Sequence, residues 1–445
     1  MANLLTHSLT FTKENIAEFF VDPFFEAIDI RNTITIRTDI KGTEQLNKIS
    51  RPSKITRKKT APGFTPTGDM VLTQQEITVK PLAVEFEQNG RAFLDSVLQE
   101  ALAQGFNEDD VAQMADPDFW NQIVLPVIAQ AGREDLIRQM FFADETKETL
   151  DSNNFITGIV DVDYNVYTGF WTHFIGDLRK GIIPAAQRIT IDNGAVKQEE
   201  IQTLSGITAG QIDIQVNNVS FTEPFDTDSA TTITNWFATH AATIQARGEL
   251  TGVVVTNPTS AALKFVAQNP GQQFEIVIID AGTNGSFAQS AVVANVVHAA
   301  LGVDEAENTF TKMVDAMPDE LLQFNPIIKV TRSMARNYIQ TLKNLGTEQA
   351  HRTVLEGVGE VLTFEGFPVI VRPDWDKWIR IDHNSVFPHR AAMYTAENLI
   401  FATDGANDDE AVETWFNQDL QQRRYRVQYK GQTAFLHKEL LMLAF

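Results

Sequence analysis

Residues 41–68 read KGTEQLNKISRPSKITRKKTAPGFTPTG. From Lys41 to Lys59 this stretch sets seven basic residues (Lys41, Lys48, Arg51, Lys54, Arg57, Lys58 and Lys59) against one acid, Glu44. Gly42, Pro52, Pro62, Gly63, Pro66 and Gly68 punctuate it with turn chemistry. Strand-like segments flank it: Ile34 to Thr38 before, and Ile77 to Phe86 after. Two β-rich legs joined by a long polar tip predict an extended hairpin arm over about 30–87. Such an arm buries little of itself, so it needs a surface outside its own domain. The whole chain carries a formal net charge of −22, which makes the acidic surface of another copy the natural seat for Lys54, Arg57, Lys58 and Lys59. A disordered loop is the competing reading.

The chain has 445 residues, enough for roughly three domains at about 150 residues each. Hydrophobic content of 43% and charged content of 21% are ordinary for a globular protein with a sizeable core. Net acidity argues against wrapping nucleic acid over a broad face, which needs clustered Lys and Arg. Zero cysteines exclude disulfides, thiolate catalysis and zinc–thiolate sites, and fit a reducing compartment. Residues 1–13 lack the basic and apolar regions of a signal peptide. The longest apolar run, Ala291 to Val303, is broken by Asn295, His298 and Gly302 and is too short to cross a bilayer. A soluble, cytoplasmic protein is the expectation.

Along the chain, residues 12–28 place Ile16, Phe19, Phe20, Phe24, Phe25 and Ile28 among acids, an N-terminal arm too short to fold alone. Residues 91–104 (RAFLDSVLQEALAQ) carry an amphipathic helical stripe ended by Gly105. A second helix starts at Asp116–Pro117 and runs to Phe141, interrupted at Pro126 and Gly132. Its length of about 40 Å at 1.5 Å per residue suits a structural spine. Residues 155–225 read as strands and turns. An order of helix, strand and helix over 229–247, 252–256 and 259–267 returns over 308–323, 326–331 and 333–343, as an internal repeat or as two ordinary α/β units. The C-terminal third reads as strands at 361–364, 369–371, 391–394 and 399–401. An acidic loop at 404–413 and a hairpin turning at Lys430-Gly431-Gln432 follow.

Chemistry-bearing motifs are missing from the sequence: no phosphate-binding loop, no dinucleotide fingerprint, no H-E-x-x-H and no G-x-S-x-G. Gly282-Thr283-Asn284-Gly285-Ser286 reads as a turn. Asp161, Asp163 and Asn165 imitate the start of a calcium loop, but Val166 stands where the required glycine belongs. His383 and His389, with Asp374, Asp376 and Asp382, form the one metal-like cluster, and an ordinary surface loop is the plainer reading. The pattern supports no enzyme, no catalytic residue, no cofactor and no metal.

The order of parts resembles the major capsid proteins of tailed bacteriophages, the HK-ninety-seven fold shared with encapsulins. Residues 327–345 (IIKVTRSMARNYIQTLKNL) are similar to the family's strand leading into a helix. Glu365-Gly366-Phe367-Pro368-Val369-Ile370-Val371 resembles its Gly–apolar–Pro–Val strand. Tyr394-Thr395-Ala396-Glu397-Asn398-Leu399 with Thr403-Asp404 resembles its T-x-x-N-L…D hairpin, and Arg424 to Gly431 its closing strand. The combination is similar to phages of Bacteroidetes hosts, crAss-like viruses included. The resemblance implies an α+β fold with an N-terminal arm (1–29) and an extended loop (30–87). It implies a peripheral domain (88–160 and 405–445) with a long spine helix, and an axial α/β domain (161–404) with a β-rich insertion at about 180–225. It further implies a major capsid protein that self-assembles into pentamers and hexamers of an icosahedral head enclosing double-stranded DNA, in a virion built in the host cytoplasm.

The early start of the extended loop leaves no room for the N-terminal scaffolding segment some members carry, so the resemblance implies a separate scaffolding protein. It also implies a portal protein and allows a decoration or cementing protein. Some members cross-link covalently through an extended-loop Lys and a peripheral-domain Asn; Lys54, Lys58 and Lys59 are present, but no Asn is identifiable as a partner, so that chemistry is not carried over. An encapsulin-like compartment and a DNA-binding protein using residues 41–59 as a basic arm stay open as alternatives.

Overall fold

The computed structural model describes residues 33–38, 40–50, 56, 58, 71–89, 125–191, 193–248, 250–347, 351–355, 359–383, 386–404, 413–417, 419–420 and 422–445. The expected N-terminal arm and the helix at 91–104 lie outside these residues. So do most of the hairpin tip and the acidic loop.

In chain order, four strands come first: β1 (Thr35–Arg37), β2 (Thr43–Ser50), β3 (Val71–Thr78) and β4 (Lys80–Asn89). Helix α1 (Leu125–Phe142) follows, then β5 (Glu148–Leu150), β6 (Ile156–Val160), α2 (Phe170–Arg179) and β7 (Arg188–Ile189). The next segment holds β8 (Glu199–Ser205), β9 (Gln211–Val216), β10 (Val219–Pro224) and α3 (Ser229–Gln245). It continues with β11 (Val253–Thr259), β12 (Ala262–Ala267), β13 (Ile276–Asp280) and β14 (Ser286–Val293). Then come α4 (Glu305–Asp315), α5 (Asp319–Leu322), β15 (Ile327–Val330) and α6 (Arg332–Leu345). The chain closes with β16 (Arg352–Leu355), β17 (Gly359–Phe364), β18 (Phe367–Val371), α7 (Pro373–Asp382) and β19 (Ala391–Tyr394), followed by β20 (Leu399–Thr403), β21 (Glu413–Asn417), β22 (Gln422–Phe435) and β23 (Met442–Ala444). The fold is α+β, and no helix among the described residues is long and apolar enough to cross a membrane.

The chain divides into two compact units, one of residues 1–140 with 397–437 and one of residues 141–396 with 438–445. In the first, β22 is the central strand. It pairs antiparallel with β4 on one side, and with β21 and then β20 on the other. β1 adds in parallel beyond β20. The expected turn at Lys430-Gly431-Gln432 is not there: β22 runs unbroken, and Gly431 pairs with Lys80 on one side and Thr403 on the other. Pairing on both sides outweighs the local turn preference of a single glycine.

The second unit is built on a seven-stranded mixed sheet in the order β16-β17-β18-β15-β19-β23-β7. Its core gathers Phe310 of α4, Tyr338 of α6 and Phe364 of β17, with ring centroids 5.4–5.9 Å apart. α6 buries Met334, Ala335, Tyr338 and Leu342, the stripe that helical spacing demands. It ends on Gly346 at φ 70°, a left-handed cap that satisfies the Leu342 and Lys343 carbonyls. Glu365 (φ 48°) and Gly366 (φ 90°) make the two-residue turn between β17 and β18, with the positive-φ pair of a type I′ hairpin.

Three expectations are corrected in this unit. Residues 170–179, read as part of a strand-and-turn region, form helix α2. Gly169 before it brings its backbone against that of Phe141, Phe142 and Ala143, where a Cβ would lie 2.7–2.8 Å away, so glycine here marks close approach, not a strand bend. Residues 259–267, read as a helix, turn tightly and form β12, whose buried Leu263, Phe265 and Ala267 follow the period of two. The internal repeat therefore fails, since only 305–345 keeps the helix–strand–helix order.

The β-rich module also extends past residue 225. Its two sheets, β10-β9-β13 and β11-β12-β8-β14, interleave strands from 199–224 with strands from 253–293. They share one core with Trp236 of α3, whose indole nitrogen donates to the Phe221 carbonyl at 2.9 Å.

Candidate assembly surfaces

β2 and β3 pair antiparallel over eight register positions, from Thr43–Thr78 to Ser50–Val71. Leu46 and Ile77 are buried near the base, packed with Ile40, Val79, Ile400, Ala402 and Ala434. Arg37 donates to Glu44 at 3.2 Å, so the single acid of the basic stretch is held by a cation at the arm's root. Further out, side chains become exposed, Leu72 among them at 58%. Beyond that base, among the described residues, the two-stranded ribbon buries little, and a ribbon of this kind gains little from burial. Of the four site residues expected from sequence, Lys58 is described and exposed. Lys54, Arg57 and Lys59 lie outside the described residues.

The β4–β22 ladder presents two chemically distinct faces. On one, Phe86 stacks on Tyr425 at 5.9 Å, and Leu82 stands opposite Tyr429. The Tyr429 hydroxyl donates to Gln139 Oε1 of α1 at 3.4 Å. Burial, reinforced by Asp135, pushes the Tyr429 phenol above its ordinary range. On the opposite face Arg426 meets Glu85 at 2.8 Å and Arg424 meets Glu87 at 3.1 Å. The Arg426 guanidinium also lies over the Trp415 ring at 5.6 Å. These exposed cross-strand pairs contribute about 0–1 kcal/mol each; their larger effect is to fix register. Sequence reasoning passed over this ladder, although the alternation Glu85-Phe86-Glu87 against Arg424-Tyr425-Arg426 carries its signal.

His383 and His389, expected in a surface loop, are both buried in the second unit. Arg390 is fully buried there: its Nε donates to the Phe387 carbonyl at 2.8 Å, and its Nη2 donates to the Val386 carbonyl at 2.9 Å. The same Nη2 reaches His383 Nδ1 at 3.3 Å. Burial lowers the Arg390 guanidinium to about 9. Burial first, then the Arg390 charge, holds the His383 imidazole well below its ordinary value.

His389 Nδ1 meets Ser333 Oγ at 2.8 Å and its Nε2 meets the Ala299 carbonyl at 3.0 Å. Asp376 lies nearby, so Ser333, His389 and Asp376 imitate a hydrolytic trio. The Asp376 carboxylate, however, accepts from the backbone N–H groups of Arg332 (2.6 Å) and Ser333 (3.4 Å) at the start of α6. Those are the donors an oxyanion would require, and the arrangement is a helix cap joined to a clamp. Among the described residues no group of three or more His, Asp or Glu could hold a metal ion.

No family model and no curated protein matches the sequence. Among solved structures, the chain is similar to the satellite phage P4 procapsid including size determination (Sid) protein, at 11% identity over 97% of this chain and 98% of that chain, TM-score 0.40. It is similar to the capsid of the cyanophage P-SCSP1u, at 9% identity over 93% of this chain and 86% of that one, TM-score 0.36. It is also similar to the holo-SrpI encapsulin complex from Synechococcus elongatus PCC 7942, at 7% identity over 94% and 86%, TM-score 0.38. Phage capsids and an encapsulin complex are thus what this chain is similar to over nearly its whole length.

Proposed function

We propose that this chain is a shell subunit, a major capsid protein that forms pentamers and hexamers of an icosahedral phage head around packaged double-stranded DNA. The observation that carries the reading is the arm. β2 and β3 are fully paired to each other, and their described side chains are buried at the base; their tip carries a strongly basic stretch in a chain of net charge −22. An arm of that kind is stabilised by a neighbour, and a closed shell supplies one at every position. Lys54, Arg57, Lys58 and Lys59 pair with carboxylates of adjacent copies. Each pair is worth about 0–1 kcal/mol, multiplied by repetition over the shell.

In this reading the unit of residues 1–140 with 397–437 supplies the extended loop and the peripheral domain, with α1 as its spine. The unit of 141–396 with 438–445 is the axial domain carrying the β-rich module. A separate scaffolding protein, a portal protein and a decoration protein are its partners. The net negative wall lets packed DNA leave, because a strongly basic lining would hold the genome.

The test is expression of the chain, alone and with its neighbouring genes, followed by negative-stain electron microscopy. Closed shells, or rings of five and six, are expected. A monomer under both conditions would refute the shell reading, and steeply salt-dependent DNA binding by the full chain would then favour a basic-arm DNA-binding protein. Shells that copurify with a cargo enzyme instead of DNA would identify a compartment of the encapsulin kind.

A further inference from the structure

β14 (Ser286–Val293) is the outer strand of the β11-β12-β8-β14 sheet, hydrogen-bonded to β8 and to no strand on its other side among the described residues. Outer strands usually carry Lys, Pro or an inward charge that discourages pairing with another chain. β14 carries none of these. It lies within the longest charge-free run of the sequence: between Asp280 and Asp304 there is no Asp, Glu, Lys or Arg. Ser286, Ala288, Gln289 and Ser290 are exposed along it. The bulge between Ser290 and Val293 leaves Ser286–Ser290 as the regular part of the edge.

Directly beyond, Val292, Val293, Val296 and Val297 are exposed, Val297 at 68%. Val196, 40% exposed, is bridged to Val296 by two backbone hydrogen bonds of 3.0 and 3.2 Å. An open row of backbone donors and acceptors therefore adjoins an apolar patch.

We propose that this edge is an interface between two copies of the chain, formed by antiparallel pairing of Ser286–Ser290 with its symmetry-related self. Charge selects the occupant. Two copies each carrying −22 repel at most approaches, and the charge-free run is where they meet without like charges opposed. The strand is also self-complementary. With Ala288 at the twofold, Ser286 faces Ser290, and Phe287 faces Gln289, so small uncharged side chains lie opposite one another on the exposed face. The contact is isologous, one patch used by both subunits. Valines at 292–297 then cover apolar area at either end of the new ladder. This pairing goes beyond the shell reading, since two copies pair whether or not shells close.

The natural absence of cysteine makes the test clean. Full-length chain with the single substitution Ala288→Cys is oxidised under mild conditions, beside Ser220→Cys on β10, an exposed position on another outer strand. A disulfide dimer should form on the order of tenfold faster at Ala288→Cys, because pairing raises the local thiol concentration. Adding Ser290→Lys to the Ala288→Cys chain should slow that cross-link to the Ser220→Cys rate, with the far-ultraviolet circular dichroism spectrum unchanged. Equal rates at the two single-cysteine positions would overturn the pairing, even if shells assemble. Fast cross-linking at Ala288→Cys without shells would support the pairing and count against the shell reading alone.

Discussion

His383 gives the second unit a calculable sensitivity to acid. Its imidazole is buried, and burial with the neighbouring Arg390 and Lys147 charges lowers its pKa well below 6.5. The folded chain thus leaves His383 neutral where the unfolded chain protonates it, and stability falls as pH drops through the unfolded value. Because the unfolded imidazole titrates across that span while the folded one stays neutral, the loss between pH 7.5 and 5.5 is on the order of 1 kcal/mol. His298, also lowered mainly by burial, acts in the same direction. Asp144 and Asp376 are raised by burial; they act in the opposite sense, gaining stability as pH falls from their raised folded values toward the unfolded value. The substitution His383→Asn keeps an acceptor for Arg390 Nη2 but cannot titrate. Urea unfolding at pH 7.5, 6.5 and 5.5, followed by tryptophan fluorescence, should show the variant losing about 1 kcal/mol less than wild type over that span. A variant with the full wild-type pH dependence would refute the reasoning, because the burial of His383 would then impose no protonation difference.

Trp236→Ala removes the centre of the module's core and the bond to the Phe221 carbonyl. It should cost about 3–5 kcal/mol, read as earlier proteolysis within residues 199–293. Gly169→Ala forces a methyl to within 2.7–2.8 Å of the Phe141, Phe142 and Ala143 backbone, and should cost about 1–3 kcal/mol in chemical denaturation. Gly366→Ala must hold φ 90° in the β17–β18 turn, and should cost about 1–2 kcal/mol with the fold retained. Charge reversal of Arg57, Lys58 and Lys59 to Glu should weaken assembly and change its salt dependence; shells formed with unchanged salt sensitivity would remove the electrostatic role.

What could be read in advance was what depends on near neighbours. The strand-to-helix passage of residues 327–345 is local chemistry and stands where the pattern put it. The readings that failed were decided by distant partners. Gly431 looks like a turn until Lys80 and Thr403 pair on either side of it. His389 looks like a surface residue until Ser333 and Ala299 close around it. Residues 262–267 are short enough to be helix or strand, and their pairing with β8 and β11 decides between them. Of the site residues, the basic tip was legible as composition alone, whereas the β14 edge needed the sheet order, which no local pattern supplies.

The position of β22 sets a timetable for synthesis. The sheet of the first unit is incomplete until residues 422–435 arrive, because β4, near the beginning of the described chain, has its ladder partner only there. Contacts this remote in sequence are slow to form, and a ribosome delivers β22 long after β4. A nascent chain therefore displays β2 and β3 before the sheet at their root can close. An arm without a fixed root has no fixed direction. Under the shell reading proposed above, the distance in sequence between the arm and its keystone strand delays the arm's engagement of a neighbour until β22 has been made, a form of quality control that needs no additional protein.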